Sequence, residues 1–216
     1  MQQPEENGKE QGHLFMKHTE KNGSSTEYTE LYRRLAEKQT ERQEIYDGVI
    51  LHVVRDSITL PNGNPSKREV VLHNGAVAIV ALTEDNELIM ERQYRYPFDQ
   101  VIWEIPAGKI DRGETDPHAA AERELREETG ITAGKLTYIG DYYPSPAILS
   151  ERIRMYLATD LKYGEQDLDE DEFMEICRLP LQRVVNMIMN GEIPDGKTQA
   201  AVLKVNEMLR KQGLMS

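Results

Sequence analysis

The sequence predicts an α/β or α+β domain in which a few helices cover a mixed β-sheet. Three observations point there. From about residue 40 the apolar residues recur with the period of two that belongs to strands. Two stretches near the C-terminus, at about 180–190 and 197–212, read as helices. Between the strand-like runs lies one more helix, framed by Pro117 and Gly130. At 216 residues, 38% hydrophobic and 30% charged, the chain is large enough to bury a sizeable core. Its single cysteine, Cys177, sits in an apolar-alternating stretch, where a packing role is expected and no disulfide can form within the chain.

Residues 1–25 mix Glu, Gln, Lys, Gly and Ser with few apolar side chains, so a disordered tail is expected. Ser24, Ser25 or Thr26 can cap a short helix in which Tyr28, Leu31, Tyr32 and Leu35 fall at i, i+3, i+4 and i+7, the spacing of a packing face. "EIYDGVILHVVRDSITLPNG" reads as two strands, and Pro61, Asn62 and Gly63 mark a turn into a third, "KREVVLHNG". The run "AVAIVALTEDNELIMERQYR" predicts a strand buried on both faces, a turn at Asp85-Asn86 and another strand. "QVIWEIPAG" reads as one strand, ended by Pro106 and Gly108. Further strands are expected at about 135–143, 152–160 and 173–179, with an acidic loop at 163–172 before the last.

The formal charge of −12 repels nucleic acid and acidic lipid, and no basic stripe reverses it locally. No nucleic-acid partner is expected. No apolar run reaches about 18 residues and the N-terminus lacks a basic-then-apolar pattern, so no membrane insertion and a cytoplasmic location are expected. An anionic substrate would need local cations or a metal ion.

The segment "GKIDRGETDPHAAAERELREETGI", residues 108–131, concentrates the chemistry. Pro117 suits a first helical turn, with Asp116 or Thr115 as cap, and Gly130 suits the stop. On that helix Glu124, Glu127 and Glu128 stand at i, i+3 and i+4 and share one face, while Ala121 and Leu125 turn towards the core. Like charges at that spacing destabilise a helix by tenths of a kcal/mol per pair, and a divalent cation would compensate. Carboxylate oxygens suit Mg²⁺ or Mn²⁺, and the lack of His and Cys ligands speaks against zinc. Surface glutamates on an amphipathic helix are the alternative for such a cluster standing alone.

Context decides between them. Gly108, Glu114, Arg123, Glu124, Leu125, Glu127, Glu128, Gly130 and Ile131 follow the order of the Nudix box, G-x5-E-x7-R-E-U-x-E-E-x-G-U with U aliphatic, so the chain resembles the Nudix hydrolases. That resemblance implies a mixed sheet sandwiched between helices, and cleavage of nucleoside diphosphates linked to another moiety. One departure stands out: eight residues, Thr115 to Glu122, separate Glu114 from Arg123 where the pattern has seven. The extra residue precedes all three helix glutamates and leaves their spacing intact. It bears on the pairing of Glu114 with Arg123, and is expected to be absorbed at Thr115–Pro117 or as a bulge in the first turn.

Over residues 40–212 the resemblance is greatest to the ADP-ribose pyrophosphatase branch and its nucleotide-sugar relatives. It implies that Arg95 contacts the substrate's phosphates or terminal ribose, that Glu104 lies near that ribose, and that the Ala107 carbonyl joins Glu124, Glu127 and Glu128 as metal ligands. Glu127 and Arg123 also count among the catalytic residues. Arg92 is a weaker candidate that can equally face solvent. Pro146, sixteen residues past Gly130, matches a proline that marks this subgroup. Ser150 and Glu151 are placed on the sugar side. Glu172, before "FMEI", resembles the catalytic glutamate of the mobile acidic loop, with Glu170 in reserve. Residues 26–75 resemble the region this branch exchanges between two subunits, and residues 76–212 the catalytic domain. A homodimer is therefore expected, with Arg68 and Glu69 lining the partner's pocket and Tyr46 stacking on adenine.

The implied reaction is Mg²⁺-dependent hydrolysis of ADP-ribose to AMP and ribose 5-phosphate. Rivals are the same chemistry on another nucleoside diphosphate sugar such as GDP-mannose, a non-catalytic ADP-ribose sensor, and an acidic docking protein. The last leaves Arg123 and both loop glycines unexplained.

Overall fold

The computed structural model describes residues 25–168 and 172–214. The tail expected at 1–25 lies outside the described residues except for residue 25. The chain divides into two units, between Val70 and Val71.

The N-terminal unit holds helix α1 (Ser25–Leu35) and a sheet in the order β1 (Lys38–Asp47), β2 (His52–Thr59), β3 (Pro65–Leu72), the last strand running two residues past the boundary. β1 and β2 are antiparallel, with Lys38 opposite Thr59 and Asp47 opposite His52. The predicted turn closes at Leu60, whose N–H donates to the Asn64 carbonyl at 2.9 Å. Gly63 takes φ 86° there, a conformation that a side chain would strain. Val54, Asp56 and Ile58 share one buried face of β2, and Arg42 of β1 grips the Asp56 carboxylate through Nε and Nη2, both at 2.8 Å. The helix forms where its spacing predicted, but its stripe is not packed: Leu31, Tyr32 and Leu35 stand 45%, 56% and 62% exposed. Periodicity fixes which side of a helix is apolar, not what covers it.

The C-terminal unit runs β4 (Ala76–Ala81), β5 (Glu87–Arg95), a 3₁₀ turn at Tyr96–Phe98, β6 (Gln100–Glu104), β7 (Ala107–Lys109), α2 (Pro117–Thr129), β8 (Ile131–Tyr142), β9 (Ile153–Tyr163), β10 (Met174–Pro180), α3 (Leu181–Met189) and α4 (Gly196–Lys211). One sheet has the order β7-β4-β9-β8 and is mixed, because β4 and β9 run parallel while β7 and β8 pair antiparallel. A second, antiparallel sheet has the order β10-β5-β6.

β4 is buried on both faces, as its unbroken apolar run predicts. Ala76, Ala78 and Val80 pack with Leu181, Val184 and Ile188 of α3 and Ala201, Val202 and Val205 of α4. Val77, Ile79 and Ala81 face the other way, onto Ala120, Ala121 and Leu125 of α2. The sheet is thus sandwiched between helices, and the glutamate helix covers one side of it. The Asp85-Asn86 turn forms, with Asn86 in the left-handed region at φ 59°.

"QVIWEIPAG" is two strands rather than one. β6 pairs with β5, whereas β7, after Ile105 and Pro106, pairs with β4 in the other sheet. Pro106 has no N–H to continue a ladder, and its carbonyl instead accepts from Ile79 N–H at 2.8 Å. β8 starts at Ile131, directly after the helix stop, earlier than the expected 135. Cys177, in β10 opposite Met90, is half-buried and free. Among the described residues no helix is long and apolar enough to cross a membrane.

Candidate active site

α2 begins and ends as its sequence dictates. Asp116 caps it by accepting from His118 N–H at 2.9 Å, Pro117 occupies the first turn, and Gly130 closes it at φ 70°. The helix is regular from Pro117 to Thr129, so the extra residue of the box is taken up in the loop before Pro117. Ala120, Ala121 and Leu125 are fully buried and fix the rotation of the helix, which brings Glu124, Glu127 and Glu128 onto the adjoining face.

Those three carboxylates line a cavity of about 830 Å³ together with Arg95, Ala107, Arg123, Glu151, Glu172 and Lys197. Its wall carries eight acidic side chains against four basic ones, so a multiply charged anion would enter only with added cations. The backbone of β7 presses on the glutamates. A Cβ at Gly108 would lie 2.0 Å from Glu124 Cδ, and Ala107 N–H donates to Glu128 Oε2 at 2.9 Å. Burial pushes the Glu124 carboxyl up to about 7 against the pull of Arg123, with repulsion from Glu127 and Glu172 adding to it. Glu128 is also raised, by burial first and then by Glu91 and Glu124.

Arg123 is the hub of the loop–helix junction. Its Nη1 lies 3.0 Å from both Glu124 Oε1 and Glu127 Oε2, and its Nη2 lies 3.2 Å from Glu114 Oε2 and from the Lys109 carbonyl. Glu114 accepts in turn from Asp111 N–H at 3.1 Å. The pairing of Glu114 with Arg123 therefore survives the longer spacing. Glu127 is further held by Arg126 at 2.9 Å, and its carbonyl accepts from Asp167 N–H at 3.0 Å. Gln166 Nε2 donates to the Glu128 carbonyl at 2.5 Å, so the first part of the acidic loop docks on the C-terminal turn of α2.

In this arrangement no three His, Cys, Asp or Glu side chains among the described residues converge as a metal-ligand group. The Arg123 guanidinium takes up Glu124 and Glu127 instead. The donor set still fits a hard divalent cation: the half-buried Glu124 and the buried Glu128 carry raised proton affinities that a cation would reverse.

Arg95 forks onto Glu104 through Nε at 2.5 Å and Nη2 at 2.8 Å. Glu104 is only 2% exposed, and Lys197 holds its Oε2 as well. Glu151 lies 3.8 Å from His73 Nδ1, and the Ser150 hydroxyl accepts from His73 N–H at 2.8 Å. Pro146 is exposed on the loop between β8 and β9, and Pro144 rather than Pro146 lines the cavity. Glu172 lines the cavity, while Glu170 lies outside the described residues. Arg92 pairs with Glu175 and stacks 5.1 Å from the Trp103 ring centroid. Arg68, Glu69 and Tyr46 belong to the N-terminal unit, where Arg68 pairs with Glu37, Glu69 accepts from Arg55 at 2.8 Å, and the Tyr46 ring lies against Gly48.

Two residues at the site were not read from the sequence. Glu91 of β5 is 3% exposed, opposite Glu104 in register, and its Oε1 has no partner. Burial and Glu104 push its carboxyl up. The carboxylate that follows directly on the apolar run "LIM", within a strand, was the available signal. Lys197 gave none, because its partner Glu104 is 93 residues away in the chain.

The profile of the NUDIX domain matches residues 72–201. The ADP-ribose pyrophosphatase of Bacillus subtilis is 41% identical over 184 residues, 83% of this chain and 99% of that protein. The methanol dehydrogenase activator of Bacillus methanolicus is 40% identical over 178 residues, 81% of this chain and 96% of that protein. A crystal structure of an ADP compounds hydrolase superposes with a TM-score of 0.72 at 25% identity, covering 82% of this chain and 97% of that one. With box, helix face and fold in agreement, the chain belongs to the Nudix family of hydrolases.

Proposed function

We propose that this chain hydrolyses the pyrophosphate bond of ADP-ribose, giving AMP and ribose 5-phosphate, with Mg²⁺ or, in its place, Mn²⁺. The observation that carries this reading is the pair of carboxylates, half-buried Glu124 and buried Glu128, on one face of α2 in a cavity that also presents Arg95 and Glu172. The printed activity of the Bacillus subtilis relative supports the choice of substrate.

Glu124, Glu127, Glu128 and the Ala107 carbonyl would hold the ion, which when bound neutralises the pyrophosphate and acidifies a water molecule. Arg123 orients Glu124 and Glu127 by bonding to both. Arg95, fixed by Glu104, binds the anionic substrate and sets its direction in the cavity. Glu172 takes the proton of the attacking water; as the new P–O bond forms, the bond to the bridging oxygen breaks and one phosphate leaves with that oxygen. Positioning and fixed charges supply most of the acceleration.

The working enzyme is a homodimer in the cytoplasm with exchanged N-terminal strands, and Arg68, Glu69 and Tyr46 complete the partner's pocket. A panel of ADP-ribose, GDP-mannose and other nucleoside diphosphate sugars tests the reading, with phosphate release measured through a coupled phosphatase, with and without Mg²⁺. Preferential, Mg²⁺-dependent cleavage of ADP-ribose is expected. Preference for GDP-mannose would reassign the substrate, and tight ADP-ribose binding without turnover would replace the hydrolase by a sensor.

A further inference from the structure

The N-terminus of α4 is joined to the end of β6 by two parallel links. Asp195 caps α4 by accepting, at Oδ2, from Thr198 N–H at 3.0 Å and Thr198 Oγ1 at 2.6 Å. Thr198 Oγ1, fully buried, accepts from Ile105 N–H at 3.0 Å. One residue earlier on each side, Lys197 Nζ bonds Glu104 Oε2 and lies 3.0 Å from the same Asp195 Oδ2. The side chains of Lys197 and Glu104 are 12% and 3% exposed.

Glu104 thus serves two cations at once, with Arg95 forked across both its oxygens and Lys197 on Oε2. These three bonds occupy both acceptor sites of Oε2 and one of the two on Oε1. The fork uses Nε and Nη2 of Arg95, which leaves Nη1 for an incoming acceptor, and the Arg95 side chain is 39% exposed where Lys197 is nearly covered. Glu104 also stands opposite the buried Glu91, so removing one of its two cations would leave two neighbouring carboxylates sharing a single guanidinium.

From these contacts we infer that Lys197 is a positioning residue for substrate binding: it anchors Glu104 to the α4 N-terminus so that Glu104 presents Arg95 to an anionic group of a nucleoside diphosphate substrate. This rests on the hydrolase reading above, with Arg95 as the group that touches substrate. Lys197 acts through Arg95. Its loss shifts the guanidinium and weakens binding, while Glu124, Glu128 and Glu172 keep their places.

A double-mutant cycle tests it, using full-length Lys197→Met, Arg95→Met and the double variant. ADP-ribose is the probe, with KM and kcat from turnover and Kd from calorimetry. K197M should raise KM and Kd on the order of tenfold with kcat within about threefold of the parent, and K197R should recover most of the affinity. In the R95M background, K197M should add less than about twofold, since both changes remove one function. Additive effects, or a loss confined to kcat, would overturn the inference. Should K197M fail to fold, K197Q, which removes the charge that Lys197 supplies to Glu104 while keeping a polar side chain there, completes the cycle. Because Kd is read beside KM, a chain that binds without cleaving would sink the hydrolase reading and still decide the role of Lys197.

Discussion

The Arg123 guanidinium lies 3.2 Å from the Glu114 carboxylate although one residue more than the Nudix pattern allows separates them. The helix between them is undisturbed, so the loop before Pro117 holds the extra length, and Glu114 is kept in place by the Asp111 N–H. Glu114→Gln should therefore lower stability by on the order of 1 kcal/mol, the range for a partly exposed charged pair, and loosen the Glu124 and Glu127 carboxylates that Arg123 also holds. Denaturant midpoints and kcat would both report it. Removing Thr115 to restore the usual spacing should leave kcat within about threefold, since that residue lies outside the helix.

Gly108 has no room for a side chain. A Cβ would sit 2.0 Å from Glu124 Cδ, and the atom in the way is the end of a side chain rather than backbone. Gly108→Ala should fold, turn Glu124 out of the cavity and reduce kcat by about a hundredfold or more, the scale for misplacing a catalytic group by an ångström. Near-normal kcat in a folded G108A protein would show that Glu124 can work from another rotamer.

Proton affinity at Glu124 gives a pH signature. Burial raises its carboxyl to about 7, so the folded, metal-free chain binds a proton more tightly than the unfolded one does. Its stability should accordingly fall as pH rises from the ordinary glutamate range, about 4.3, through about 7. Glu124→Gln should flatten that slope and raise the melting temperature of the metal-free protein at pH 8. The opposite sign holds at Asp56 in the N-terminal unit, which Arg42 keeps below the usual carboxylate range. Its contribution is present above that range and is lost as pH falls through the lowered value, so Asp56→Asn should destabilise at pH 7 and cost little in strong acid. Thermal melts across pH measure both.

Much of the C-terminal unit was legible from local chemistry. Asp116, Pro117 and Gly130 set the ends of α2, and the apolar run at residues 76–81 announced a strand covered on both sides. What local chemistry does not encode is pairing. The hop of the chain at Ile105-Pro106 from one sheet to the other follows from register with β5 and β4, which no stretch of "QVIWEIPAG" contains. The contact of Lys197 with Glu104 was hidden for the same reason, as a meeting of segments 93 residues apart. The exposed stripe of α1 shows the converse limit, since a helical period predicts an apolar face without predicting its cover.

Glu172 is the proposed base, so Glu172→Gln should lower kcat by at least about a hundredfold while KM changes less than about threefold. A fall in affinity with kcat preserved would move the base elsewhere in the loop.

The central claim is that the carboxylates of α2 hold the cation on which pyrophosphate cleavage depends. ADP-ribose turnover by Glu128→Gln at saturating Mg²⁺, with folding confirmed by circular dichroism, tests it most directly. The account predicts that the parent protein yields AMP and ribose 5-phosphate and that the variant loses at least about a thousandfold in kcat. Turnover by E128Q within about tenfold of the parent would contradict it.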